Sequence, residues 1–575
     1  MTRGRLIATI VAVLIVDAVW ATLPPPAREL TLTPDPLLVR GAIHVHTTRS
    51  DGAGSPDDVA HAAHRAGLDF VILTDHGDGL RVPDPPRYVD GVLVIDAVEI
   101  STADGHLIAL GIGQAPYRLA GDARDVIDDV HRLGGLGFAA HPDSPKPDLR
   151  WREWEVPLDG LEWLNADSEW RHETRSALAR TFVTYWIRGP ESIARMFSRP
   201  VATLGRWDRL TASSRVVAVA GADAHARLPL NAGAEPGEGP SLRVPSYENS
   251  FRAMATRVLL RAPLTRTDAA SDETALLAAL RAGHAFSAID AIAGVPRFEF
   301  RAEAADGHAE MGDELVTHGR VMLTVGLSEQ VSDAAVVLLK NGREDSRGNG
   351  GTLQTWYEAG EPPAVFRVEV RLQGAPGDPP VPWIVSNPIY LRHEPRLPSP
   401  PAPSTEIVRT LTDGQGSRAW AIERQPASQA TLQPGASPGG EPAEHFQWRL
   451  AGGNPSGQYA ALALPVSAAD FADADRLRVT LQALRPMRLS IQVRVPDGGG
   501  LRWQRSVYVD GTPHAVEVPF SEMRAIEGGR NARLEPSRVD TLLLVVDTVN
   551  AVPGSTGECW VGPVSVLRPT PTSGR

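Results

Sequence analysis

From Leu38 to about Leu264, short apolar runs alternate with stretches of helical spacing. The runs of strand length are Leu38–His46, Asp69–Asp75, Val92–Ile100, His106–Ile112, Gly135–Ala140, Gly160–Asn165 and Val216–Ala220. Several are apolar throughout, as expected of parallel strands covered on both faces. After the first run, Ser55 is placed to cap a helix with Pro56 at its first position and Asp57 and Asp58 in its first turn. Alternating β and α units of this kind predict a parallel sheet or barrel. Residues 171–215 read as further helices, with Gly189-Pro190 as a break.

The pattern changes near Asp272. A short helix, Glu273–Ala282, leads into strand candidates Arg297–Ala302, Arg320–Leu327, Ala334–Lys340 and Val365–Leu372, with Asn341-Gly342 as a turn signal. Residues 272–392 therefore form a small β-sandwich domain. A Pro-rich stretch, residues 394–409, reads as an extended linker. Residues 410–567 carry short strands at fairly regular spacing, including Tyr459–Leu464, Arg476–Ala483, Arg488–Arg494 and Thr541–Asp547, and predict a C-terminal jelly-roll-like β domain.

A chain of 575 residues is too long for one core, so several domains agree with this partition. The net charge of −12 argues against nucleic-acid binding, which requires a clustered basic face. With Cys559 as the one cysteine, no internal disulfide or thiolate cluster exists, and any metal must sit on nitrogen and oxygen ligands. At the N-terminus, Arg3 and Arg5 precede the apolar run Leu6–Val16, and Val19-Trp20-Ala21 offers small residues for cleavage. Residues 1–22 are thus expected to act as a signal peptide or an N-terminal membrane anchor. Asp17 would cost about 2.5–3.5 kcal/mol near the centre of a spanning helix, which favours the first. The protein is expected to be exported: periplasmic, secreted, or anchored and facing outward.

The chemistry gathers at strand ends. His44-Val45-His46 closes the first run, and residues two apart on a strand share a face, so both imidazoles are expected to reach one metal. Asp51-Gly52 follows. Thr74-Asp75-His76 closes the second run, Glu99 ends the third, and His106 begins the fourth across Asp104-Gly105. His141-Pro142 ends the fifth, and Asp223-Ala224-His225 ends the last. Burying so many ionisable groups is costly unless metal ions pair them. Barrel active sites are assembled at this end of the strands.

These motifs, from His44-Val45-His46 and Ser50-Asp51-Gly52 to Asp223-Ala224-His225, resemble those of the PHP (polymerase and histidinol phosphatase) family over about a third of the chain. The resemblance implies a distorted (β/α)7 TIM-like barrel over residues 38–265. It also implies two or three divalent ions (zinc, manganese or iron). By that analogy His44, His46, Glu99 and Asp223 hold one ion; Glu99, as a bridge, holds a second with His106 and His141; Asp51, His76 and His225 hold the third. Glu99, Asp51 and His225 are the residues expected to carry the catalysis. Segments beyond the barrel, such as Ala279-Leu280-Arg281-Ala282-Gly283-His284 and Pro382-Trp383-Ile384-Val385-Ser386-Asn387-Pro388, resemble exported PHP proteins of the carbaryl-hydrolase-like group. The implied activity is water activation at a di- or trinuclear site for hydrolysis of a small-molecule phosphoester. A carboxylic or carbamate ester hydrolase and a non-catalytic glycan-binding envelope protein are the alternatives.

Other residues are assigned subsidiary places. Asp75 and Asp143 are expected to orient the imidazoles, and Lys146, Asn165 and Arg227 to meet a substrate oxyanion. Trp151, Trp154, Trp163 and Trp170 either roof the barrel or wall the pocket. His61, His64 and His131 read as solvent-facing. The last domain weakly resembles a galactose-binding-like jelly roll, in which Trp503, Tyr508 and Trp560 either stack on sugar rings or pack the core.

Overall fold

In chain order the elements around the site are β1 (Leu38–Val45), α1 (Pro56–Arg65), β2 (Phe70–Leu73), β3 (His76–Gly77), β4 (Arg87–Val89), β5 (Val92–Asp96), β6 (Val98–Thr102), β7 (Gly105–Leu110), α2 (Ala123–Arg132), β8 (Leu136–Ala139), β9 (Gly160–Asn165), α3 (Ala166–His172), α4 (Arg175–Tyr185), α5 (Gly189–Ala194), α6 (Val201–Ser213) and β10 (Val217–Ala224). The computed structural model describes residues 5, 17, 19–31, 34–229, 239–358, 360–396, 404–416, 419–453, 457–496, 500–526 and 532–570. The apolar run Leu6–Val16 and linker residues 397–403 lie outside the described residues. Among the described residues, no helix is long and apolar enough to cross a membrane.

β1 lies between two parallel neighbours, β2 and β10. β9 pairs in parallel with β10, and β8 with β9. On the other side β2 pairs in parallel with β5, and β3 with β6. The strands β2, β5, β8, β9 and β10 are buried along their whole lengths, which explains their continuous apolar character. β7 departs from the expected (β/α)7 alternation by pairing antiparallel with both β6 and β8. The reason is the link between β6 and β7, which is only Ala103-Asp104. A parallel crossover needs a dozen or more residues. The expected single strand Val92–Ile100 is also interrupted, at Ala97, into β5 and β6.

Local signals account for the helices. Ser55 and Asp58 form a reciprocal capping box at the start of α1. Gly189-Pro190 does not merely break a helix: it starts α5, with proline in the first turn. The later helix begins at Ala269 rather than Glu273, because the Asp268 side chain caps it by accepting from the Ser271 N–H.

By contacts the chain divides into two compact units. One comprises residues 1–113 and 122–396, the other residues 114–121 and 397–575. In the first, strand Ala255–Leu259 pairs antiparallel with β1 and with Ala285–Ala288, which pairs in turn with Ile384–Ser386. The sheet that carries the histidines therefore continues into the region read as a β-sandwich. That region packs around its own core, including Phe298, Phe300, Val336, Val368 and Ile384. The second unit contains two six-stranded sheets around a separate core. Trp503 belongs to that core and donates its indole N–H to Ala532 O at 3.1 Å, so its face is not available to a sugar. Tyr508 packs against Tyr117, and Trp560 stacks on His445 at 4.6 Å.

In the first unit a buried ionic network ties the helices after β9 to strand Ala364–Leu372. Glu369 accepts from Arg199 at 2.7 Å, Arg367 at 2.9 Å and Arg371 at 2.5 Å, and Arg367 also donates to Asp208 at 2.7 Å. Burial pushes the Glu369 carboxyl up, but hydrogen bonds from Arg199 and the charge of Arg367 outweigh it and hold it at about 2, below its ordinary 4.5. Glu369→Gln should therefore cost about 3 kcal/mol of stability at neutral pH, since it strands buried guanidinium groups. A depressed carboxyl pKa contributes fully above about 4.5 and is lost as the pH falls toward 2. Urea melts of parent and variant should converge between pH 6 and pH 3; a gap that stays constant would show that the network's charge is not what stabilises.

Candidate metal centre

The site begins with a backbone irregularity. The register of β1 against β10 shifts between Ile43 and Val45, and His44 lies between them at φ 67°. Simple alternation along an extended strand therefore does not bring His44 and His46 together. The bulge does, leaving the rings 5.1 Å apart and both residues fully buried. His141 follows β8 at φ 28°, and Asp223 sits on β10 at φ 43°. Side chains in this left-handed region cost on the order of 1–3 kcal/mol each, and such strain persists only where surrounding structure enforces it.

Glu99 is the hub. Its Oε2 lies 3.2 Å from His44 Nε2, 3.3 Å from His46 Nε2 and 3.2 Å from His76 Nδ1. Its Oε1 lies 2.8 Å from His106 Nδ1 and 2.9 Å from His141 Nε2. Asp223 Oδ1 is 3.4 Å from both His44 and His46. Asp51 reaches His46 at 3.3 Å, His225 at 3.2 Å and His76 at 3.5 Å. All nine side chains expected from the sequence fall into four overlapping sets, with ligand atoms within 4.8 Å of one another. The sets are His46, Asp51, His76 and His225; His44, Glu99 and His141; His44, His46 and Asp223; and His76, Glu99 and His106. Eight of the nine, all but His44, border a cavity of about 480 Å³, whose wall also holds Lys146, Asp167 and Arg171.

Imidazoles and carboxylates shift one another's ionisation throughout the cluster. Burial alone would push the His44 imidazolium down, yet the charges of Asp223, Glu162 and Glu99 hold it well above the ordinary range. His141 is raised in the same way against burial, through Glu99. Burial opposes ionisation of Glu99 and Asp223, but the surrounding imidazoles keep both well below the usual carboxylate range. The buried His46 Nε2 and His141 Nδ1 make no hydrogen bond. Imidazole nitrogens clustered with buried carboxylate oxygens are a donor set that fits divalent metal ions. Thiolate plays no part: Cys559 is in the other unit, and burial pushes its thiol up to about 12.

One residue of the site escaped the sequence reading. Glu162, on β9, is buried and accepts at 2.7 Å from His44 Nδ1. Its other oxygen accepts from the His141 backbone N–H at 2.5 Å and from Asn165 Nδ2 at 2.8 Å. It thus fixes the orientation of one ligand and the backbone of another. Gly221 makes room for it, since a Cβ there would sit 1.7 Å from Glu162 Oε1. The signal was a lone carboxylate inside the apolar run Gly160–Asn165, which needs a buried partner.

Several subsidiary expectations are corrected. Asn165 is committed to Glu162 and to capping α3, not to a substrate. Asp75 steadies the loop instead of an imidazole: it accepts from Thr47 N, Thr47 Oγ1 and Ser50 Oγ, each at 2.7 Å. Among the described residues, the Asp143 side chain makes no hydrogen bond to the nine ligands. Arg227 donates to Ser241 at 3.2 Å. Trp151 and Trp163 are buried core, whereas Trp154 and Trp170 are half-buried. In agreement with expectation, His61, His64 and His131 are exposed, His61 paired with Asp90 and His131 with Asp159.

If Glu162 positions His44, Glu162→Gln should weaken metal retention roughly 10–100-fold. Gly221→Ala should act similarly by displacing the carboxylate. Metal remaining after dialysis against graded chelator measures this, and retention equal to the parent in both variants would remove Glu162 from the site.

No family model matches the chain, and no curated protein matches it. Among solved structures, it is similar to a protein from Bacteroides vulgatus ATCC 8482 described as a two-domain protein containing a predicted PHP-like metal-dependent phosphoesterase. The identity is 15%, with 64% of this chain and 98% of that chain covered, and the TM-score is 0.29. It is also similar to the family 11 carbohydrate-binding module of Clostridium thermocellum in complex with a β-1,3-1,4-mixed-linked tetrasaccharide. There the identity is 14%, with 27% of this chain and 93% of that chain covered, and the TM-score is 0.23. A family 30 carbohydrate-binding module shares 9% identity over 27% of this chain and 97% of that chain, with a TM-score of 0.21.

Proposed function

We propose that this chain is a metal-dependent hydrolase of ester bonds, acting first on phosphoesters, at the cluster around Glu99. The observation that carries this reading is the convergence of six imidazoles and three carboxylates in one cluster, eight of the nine lining one cavity. A stable core has no use for so many buried ionisable groups, whereas two or three divalent ions would pair them all. We assign His44, His46, Glu99 and Asp223 to one ion, Glu99, His106 and His141 to a second, and Asp51, His76 and His225 to a third. When bound, such ions supply Lewis acidity toward the ester and lower the pKa of water.

The chain's own groups do the rest. Lys146 brings positive charge to the cavity wall, suited to the non-bridging oxygens of a phosphoester. Glu162 holds the His44 ring, and Asp75 holds the loop that presents Asp51. We read the pairings of β1 with β2 and β10, and their continuation through β5, β6, β7, β8 and β9, as a distorted barrel of the PHP type. The motifs at its strand ends support that reading. The group resembling carbaryl hydrolases would place carboxylic or carbamate esters second. Residues 38–265 then form the hydrolase domain, residues 272–392 its β-sandwich, and residues 410–567 a module for glycan, with Trp560 rather than Trp503 as the available ring. Residues 1–22 would direct export.

The purified full chain should bind two or three divalent ions and hydrolyse phosphate esters, and His44→Ala or Asp223→Ala should abolish turnover. Less than one ion per chain after reconstitution overturns the proposal; cleavage of carboxylic esters but not of phosphates moves it to the alternative. Glu99→Gln keeps the volume but removes the charge shared by five imidazoles. It should therefore lose more metal and more turnover than Asp51→Asn, measured under one reconstitution. The reverse order would mean that the chemistry centres on Asp51, His76 and His225.

A further inference from the structure

Beside the metal-ligand cavity lies a second chamber, of about 520 Å³, that shares Asp167, Asp223 and His225 with it. Its wall is mainly apolar: Leu178 and Phe182 on α4, Ile193 and Met196 from α5 and just beyond, and Val244 and Pro245. α4 is unusual for a helix of a folded domain, because Thr184 is its one buried residue. Phe182 is 42% exposed and Val183 47% exposed, and both border the chamber. A helix normally turns its apolar face into the core. Here several apolar side chains face a space that none of the described residues fills.

The boundary between the two spaces is suited to a substrate that occupies both. Asp167 stands on it with its charge already engaged, accepting from Arg171 Nε at 2.5 Å and Trp170 Nε1 at 2.7 Å. It therefore presents no lone negative charge to a hydrocarbon passing by. Asp223 and His225, on the same boundary, belong to the metal-ligand cluster. A group seated in the chamber ends within reach of the reacting centre, and a volume of this size is typical of small-molecule pockets.

Resting on the hydrolase reading above, we infer that this chamber seats the apolar substituent of the substrate. The preferred substrates are then esters of a bulky hydrocarbon group, charged only at the end that meets the cluster. Small hydrophilic esters would leave the apolar wall in contact with water and lose the contribution of its burial.

Two measurements on the metal-loaded full chain test this. The first compares kcat/KM for methyl, butyl and hexyl phosphate; the second compares binding of methylphosphonate and hexylphosphonate, which are not hydrolysed, by calorimetry. The hexyl compound should be favoured over the methyl one by roughly tenfold or more in both. In Ala179→Trp, which adds bulk at an exposed position on the chamber wall, the ratio should fall toward one. Phe182→Ser, at the mouth, should lower it partly, and thermal melts of both variants report whether they fold. Turnover of every phosphate with no dependence on chain length, and equal binding of the two phosphonates, overturns the chamber while leaving the hydrolase. Preferential hexylphosphonate binding that Ala179→Trp removes, with no ester cleaved, supports the chamber and overturns the hydrolase.

Discussion

A carboxylate with no water around it must find its positive charge inside the protein, and Glu99 finds it in five imidazoles. Much of the rest of this unit can be understood from that requirement. Five rings cannot reach one carboxylate from a single strand, so β1, β3, β7 and the segment after β8 must converge on β6, which carries it. The bulge at His44 and the left-handed backbone at His141 and Asp223 are local costs of that convergence. They are held in place because β1 is paired on both sides and β10 is buried along its length.

Which parts of this were legible from sequence follows from how polar groups interrupt apolar runs. His46, His76, His141 and Asp223 stand out because each lies at or just past the end of a mainly apolar run. Glu162 ends nothing; it sits within its run, and its partners come from β1 and from the residue after β8. Only tertiary structure brings those together. β7 illustrates a different limit. Its apolar character is that of a buried strand in either orientation, and the two-residue link before it was the informative feature. The helix starting at Ala269 was read four residues late, since its cap, Asp268, is separated from the apolar positions by a polar turn. In the second unit, the aromatic character of Trp503 is compatible with either a sugar platform or a core, and burial decides for the core.

Glu162 and Gly221 show how closely support and function are joined. The glycine is needed not for its backbone freedom but for the space that a Cβ would take from the carboxylate. Through Asn165 the same carboxylate is linked to the start of α3, whose side chain Asp167 stands between the metal-ligand cavity and the apolar chamber. The orientation of His44 and the placement of the chamber wall are therefore set by neighbouring residues of one strand-to-helix junction.

The charge balance of the cluster bears on the metal-binding reading proposed above. With only protons to share, raised imidazoles and depressed carboxylates make a set of buried ion pairs, and the desolvation of each pair offsets much of its attraction. A divalent ion would take the lone pairs of several neutral imidazoles at once while keeping the carboxylates charged, and the protons it displaced would go to water. The same nine side chains would thus change from a costly arrangement of internal ion pairs to a ligand set, an interaction that would help sustain the strain at His44, His141 and Asp223.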